Sequence, residues 1–215
     1  MPTVYGRKSA FNLQKVMWLI GELGLAHKHV ELGGAFGGLD SPDFRALNPH
    51  GRVPVVVDDG FPVWESHTIL RYLAARYGGP ALWSDDPAER SLAERWMDWS
   101  QTALQPDFLN GVFWGFYRTP EGQRDMATVT DKMERTAQHL ARLDSVLADR
   151  PYLLGETLSL ADIPAGTCLY RYYNLPIARP ELPNVERWYA SLTERPAYRE
   201  HVMVPFGDLY GRLDF

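Results

Sequence analysis

Several short stretches of this 215-residue chain carry residue types that could do chemistry. Ser9-Ala10-Phe11-Asn12 offers a hydroxyl and an amide just ahead of a helical run. Donors placed there, aided by the helix dipole, stabilise an anion, although helix capping is the commoner use of Ser and Asn. Arg52-Val53-Pro54 sets a guanidinium, which pairs well with planar carboxylates, beside a proline that opens a run of valines. Proline cannot donate to a strand ladder, so it is unusual at the head of a buried strand and ordinary on an edge. Eleven residues later stands Glu65-Ser66, with Ser66 read as the N-cap of a helix whose free N–H groups would attract a carboxylate. An ordinary capped helix with one solvated acid has the same pattern.

Other signals carry less. His27-x-His29 supplies two metal ligands without a third nearby. Gly33–Gly38 is glycine-rich but lacks the Gly-Lys-Ser/Thr of a phosphate loop. Ser159-Leu160-Ala161-Asp162-Ile163 reads as a capping-box variant, with Leu158 and Ile163 as a hydrophobic staple, and so as a folding element. Cys168 lies two turns into that helix and reads as a small buried side chain.

The elements that must position these residues divide the chain in two. Thr3–Tyr5 reads as a strand, and Leu13, Val16, Met17, Ile20 and Leu23 form one helical face closed by Gly24. His27–Leu32 alternates like a strand, and Ser41-Pro42 starts a helix. Val53–Val57 reads as a buried strand, turning at Asp58-Asp59-Gly60 into Phe61–Trp64, and a helix follows from Ser66. The order is β-α-β-α-β-β-α. Beyond Gly78-Gly79-Pro80 only helical patterns appear. Leu92, Trp96, Trp99 and Ala103 share a face, and Pro106 should bend that helix. Met126 to Leu147 follow at near-heptad spacing, best read as a bundle helix. Further helices start at Ser159 and cover about Val185–Thr193 and Ala197–Val202.

The formal charge of −5 and pI of about 5.7 argue against a nucleic-acid partner. Residues 1–78 hold 8 Lys/Arg against 7 Asp/Glu, and residues 79–215 hold 14 against 20, so an anionic small molecule meets least repulsion in the first part. A single cysteine excludes a disulfide framework and a cysteine-based zinc site, and fits cytoplasmic residence. No run is long enough to span a membrane, and the N-terminus lacks a signal-peptide pattern.

The β-α-β-α-β-β-α module, with Val53-Pro54 opening its third strand and Glu65-Ser66 its last helix, resembles the thioredoxin-like domain of cytosolic glutathione transferases. The helical remainder, with Ser159-x-x-Asp162-Ile163, is similar to their C-terminal domain. The resemblance implies an α/β N-terminal thioredoxin-like domain (1–78), a linker (79–86) and an all-α helical bundle domain (87–215). In that family the proline is cis, so Val53 would pair with the cysteinyl backbone of glutathione as with an added strand. Glu65 and Ser66 would answer the γ-glutamyl ammonium and carboxylate, and Arg52 a further carboxylate. The thiolate would rest on Asn12 or, as second candidate, Ser9. The spacing from Asn12 to Lys15 is similar to the asparagine-bearing bacterial and fungal branch, whereas Tyr5 belongs to a strand. A serine/asparagine-type member is therefore expected rather than a tyrosine-type one.

Without cysteine in residues 9–12, a dithiol mechanism is excluded. Gln105 and Phe108, near the proline bend, are the candidates for the second-substrate pocket. The activity implied is conjugation of glutathione, as co-substrate and without a metal, to a hydrophobic electrophile in detoxification. A glutathione-dependent peroxidase or disulfide reductase is one alternative; a non-catalytic binding or regulatory protein is the other. The family also implies a homodimer, with no nucleic-acid or membrane partner.

Overall fold

The computed structural model describes residues 1–213. Two compact units appear, Met1–Ser84 with Pro196–Val204, and Asp85–Arg195 with Pro205–Leu213. The first contains β1 (Thr3–Tyr5), α1 (Phe11–Glu22), β2 (Lys28–Val30), α2 (Pro42–Leu47), β3 (Val55–Asp58), β4 (Phe61–Trp64), α3 (Ser66–Tyr77) and the single turn α4 (Gly79–Leu82). The second contains α5 (Pro87–Trp99), α6 (Met126–Val146), α7 (Asp162–Asn174) and α8 (Pro183–Thr193). The last helix, α9 (Pro196–His201), belongs to the first unit, where the sequence placed it in the helical half.

The sheet runs β2-β1-β3-β4, with β1 parallel to β2 and antiparallel to β3, and β3 antiparallel to β4. Tyr5 stands opposite Val55, and Val55 opposite Trp64. The end of β1, the start of β3 and the end of β4 therefore share one end of the sheet. β3 begins two residues later than its valine run suggests. Pro54 has no N–H to give the ladder, and β1 stops at the Tyr5–Val55 pair. β2 is also shorter than read, because β1 offers only three residues to pair with.

The α1 pattern predicts one buried face, yet nine of its twelve residues are buried, including Gln14 and Lys15. Two neighbours account for the difference. Helix α3 packs against α1, and α9 closes over another flank, where Tyr198 sets its ring edge-on to Trp18 at 4.8 Å. At its far end α3 is tied to the sheet. Tyr72 and Tyr77 hydroxyls donate to Asp58 Oδ2 at 2.9 and 2.6 Å, and Arg76 Nε lies 3.0 Å from the same oxygen. Burial pushes the Asp58 carboxyl up, but these hydrogen bonds and the Arg76 charge outweigh it and hold it below the usual carboxylate range.

In the second unit the winding changes where the proline bend is predicted. Ser100–Leu104 and Pro106–Arg118 are π-wound, on either side of Gln105. The face expected of α5 is not the buried one: Leu92 is exposed, Trp96, Trp99 and Ala103 are half-buried, and the buried residue of the helix is Met97. Helix α7 begins at Asp162 rather than Ser159. The Asp162 carboxylate accepts from Ser159 N and Oγ and from Leu153 N at 2.8–2.9 Å, which holds residues 159–161 as a turn ahead of the helix. The hydroxyl thus donates to the carboxylate instead of capping the helix itself. Burial pushes the Asp162 carboxyl up to about 6 against these bonds.

Candidate active site

Strand register brings the separated motifs to one end of the sheet. Val53 precedes β3 and lies beyond its ladder with β1, so its N–H and C=O make no backbone bond among the described residues. The Val53–Pro54 peptide is cis. The loop before it is fastened by buried Asn48, whose Nδ2 donates to Arg52 O at 2.8 Å while its Oδ1 accepts from His50 N at 3.1 Å. Gly51, at φ +60°, completes this turn; an added Cβ would lie 3.0 Å from Leu39 O, so any side chain here would be both crowded and strained. The result leaves Arg52 exposed beside Val53.

Glu65 follows β4 with φ +67°, in a region that non-glycine residues occupy at a cost of about 1–3 kcal/mol. It, not Ser66, is the N-cap of α3, and Ile69 N donates to its carbonyl at 2.9 Å. Ser66 is the first helical residue and is buried. The Glu65 side chain makes no capping bond and is exposed, so the first-turn N–H groups remain available to an anion.

Helix α1 approaches the same place. Its N-cap is Ala10, which has no side-chain acceptor, and Asn12 is exposed in its first turn. Ser9 lies in the preceding turn and is half-buried. The Asn12 side chain does not cap the helix; its Oδ1 accepts from buried Lys15 Nζ at 3.0 Å. Lys15 Nζ also lies 3.1 Å from His67 Nε2. That contact links α1 to α3 close to the N-terminal end of each helix, through Asn12–Lys15 on one and His67, next to Ser66, on the other. Burial, then the charges of Lys15 and Arg71, pushes the His67 imidazole down to about 2, so the ring is neutral and accepts from Lys15. Neither Lys15 nor His67 was singled out as functional by sequence. The Asn12–Lys15 spacing was visible, but the burial of the pair depends on α3.

Gln105 and Phe108 lie in the second unit. Phe108 is fully buried, edge-on to Tyr172 at 5.7 Å, and Gln105 is buried with no partner for its Nε2 among the described residues. Between them, Asp107 accepts from Lys132 Nζ at 2.7 Å and from His139 Nε2 at 2.9 Å. His27 Nδ1 and His29 Nε2 are each committed to a backbone carbonyl, of Leu25 and Gly6. Among the described residues, no group of three or more His, Cys, Asp or Glu is arranged to hold a metal ion. Cys168 is buried, its Sγ 3.6 Å from Pro164 O.

The chemistry on offer at the sheet end is an extended backbone edge, an anion-seeking helix start, an exposed guanidinium and an amide. Comparison with known proteins gives that combination a context. Residues 4–81 match the glutathione S-transferase N-terminal domain model, and residues 107–196 the glutathione S-transferase C-terminal domain model. Glutathione S-transferase GstB of Escherichia coli K12 is 39% identical over 207 residues, covering 95% of this chain and 99% of that protein. The theta class glutathione S-transferase of Xanthomonas axonopodis pv. citri, solved with glutathione bound, superposes with a TM-score of 0.88 at 46% identity, covering 95% and 98% of the two chains. The transcriptional regulator URE2 of Saccharomyces cerevisiae is 27% identical, covering 91% of this chain and 66% of that one. Two domain models matched in order, and a relative aligned along nearly its full length, show that this chain belongs to the glutathione S-transferase family.

Proposed function

We propose that this glutathione transferase binds the tripeptide across the sheet end, with its sulfur at the first turn of α1. The cysteinyl backbone pairs with Val53, the γ-glutamyl carboxylate sits on the first-turn N–H groups at Ser66, Glu65 faces the ammonium, and Arg52 takes a remaining carboxylate. Asn12 Nδ2 donates to the sulfur. A free thiol ionises near pH 8.5, so a donor that prefers the thiolate raises the nucleophile's population at neutral pH. The thiolate then forms an S–C bond to the electrophile, whose leaving group departs with the bonding electrons. Ser9 is the alternative donor.

One observation supports this reading above the rest: the strand register and the Lys15–His67 contact gather Asn12, Val53 and Ser66 from three separate stretches of chain. A hydrophobic electrophile as second substrate, with Gln105 and Phe108 in its pocket, and a cytoplasmic homodimer acting in detoxification extend the reading from the family resemblance. Among the described residues, no helix is long and apolar enough to cross a membrane.

Capture on immobilised glutathione, followed by rates with an aryl halide, a hydroperoxide and a mixed disulfide, tests it. The expected result is capture with the aryl halide fastest. Fastest turnover of a hydroperoxide or disulfide would assign a glutathione-dependent reductant instead. Capture without turnover of any of the three would assign a binding protein, the role suggested by the similarity to URE2.

A further inference from the structure

Lys15 and His67 make a polar chain through the packed face of two helices. A lysine ammonium has only donors, so its contact with Asn12 is made at Oδ1. The amide is thereby fixed with Oδ1 on buried Lys15, which leaves Nδ2 as the donor at the other edge of an exposed residue. On the opposite side, neutral His67 offers Nε2 to the same ammonium. The Phe11 ring, 5.1 Å from Nζ, and the Arg71 charge on α3 also face this pair. A buried ammonium is costly to desolvate, and an apolar side chain would fill the same space without that cost. What the lysine adds is direction: its donated bond selects one of the two amide orientations and polarises the N–H groups at the other edge.

We propose that Lys15, held by His67, is a positioning residue for the conjugation reaction, fixing the Asn12 amide with its donor edge toward the glutathione sulfur. The inference rests on the assignment of Asn12 to the thiolate, and the test separates the two.

The readout is the pH midpoint of thiolate absorbance of glutathione bound to the full-length protein, with kcat and KM measured beside it. Asn12→Ala is expected to raise the midpoint by about one unit, the size of one lost charge-assisted contact. Lys15→Met raises it by at least half as much, lowers kcat more than it raises KM, and adds nothing in the Asn12→Ala background. His67→Leu behaves like Lys15→Met, whereas His67→Gln, which keeps an acceptor, shifts the midpoint less. The histidine pair answers the question even if Lys15→Met does not fold. A Lys15→Met midpoint equal to the parent's, with Asn12→Ala shifted, would overturn the positioning role and leave Asn12 in place. Shifts that add in the double variant would overturn it too, because the lysine would then act on the sulfur directly. An unshifted Asn12→Ala would remove the underlying assignment and this inference with it.

Discussion

A charge taken out of water has to be compensated, and Lys15 finds its compensation at Asn12 and His67. This arrangement fixes a pH dependence. The folded His67 imidazole is pushed down to about 2, whereas in the unfolded chain it titrates near 6.5. Below pH 6.5 the unfolded chain therefore gains a proton that the folded chain does not, so this stabilisation is full above 6.5 and is lost as pH falls. The loss approaches about 1.4 kcal/mol per pH unit for a full proton. Urea midpoints measured from pH 7.5 to 5 should fall less steeply for His67→Gln than for the parent; parallel curves would contradict the buried neutral ring. Asn12 caps nothing, but it is an acceptor for buried Lys15, so Asn12→Ala should cost about 1–2 kcal/mol by urea unfolding while reducing kcat about tenfold or more with an aryl halide. A large loss of stability with kcat retained would reverse that assignment.

The helices show where local pattern ends and long-range contact begins. Gly21 of α1 has no room for a side chain: an added Cβ would lie 2.7 Å from Ala197 Cβ and 3.1 Å from His201 Cδ2. Gly21→Ala should therefore cost about 1–3 kcal/mol by urea unfolding, despite the better helix propensity of alanine. An unchanged or raised midpoint would mean that α9 does not press on α1. Asp162 accepts three hydrogen bonds from the turn before α7, and Asp162→Ala leaves those donors unanswered, with an expected loss of about 3 kcal/mol by the same measurement. The hairpin Val55–Trp64, the Ser41 cap and the Ser159–Asp162 link were readable because their partners are close in sequence. The start of α3 at Ser66 was readable, but its N-cap was misplaced by one residue, since nothing in Glu65 announces a positive φ. The all-round burial of α1 was not readable at all. A helix about 175 residues away and one face of α3 supply it, and the 3.6-residue period reports only the strongest face.

Taken whole, the chain order of a mixed unit followed by helices was legible from the change in periodicity near Gly78, and the return of Pro196–Val204 to the first unit was not. Similarly, Pro54 stood out as a residue of the wrong kind for a buried strand, whereas Glu65-Ser66 matched an ordinary capped helix and gained meaning only beside that proline. Their shared location follows only from strand register, which three- and four-residue strands leave unspecified until they pair. The proposed catalysis depends on glutathione lying along Val53 with its sulfur at Asn12. A crystal structure of the protein with glutathione would examine that placement in one step. The expected result is the cysteinyl N–H and C=O paired with the Val53 backbone, the γ-glutamyl carboxylate on the first turn of α3, and the sulfur within hydrogen-bond distance of Asn12 Nδ2. A tripeptide seated away from Val53, or a sulfur directed to Ser9 with Asn12 out of reach, would contradict it.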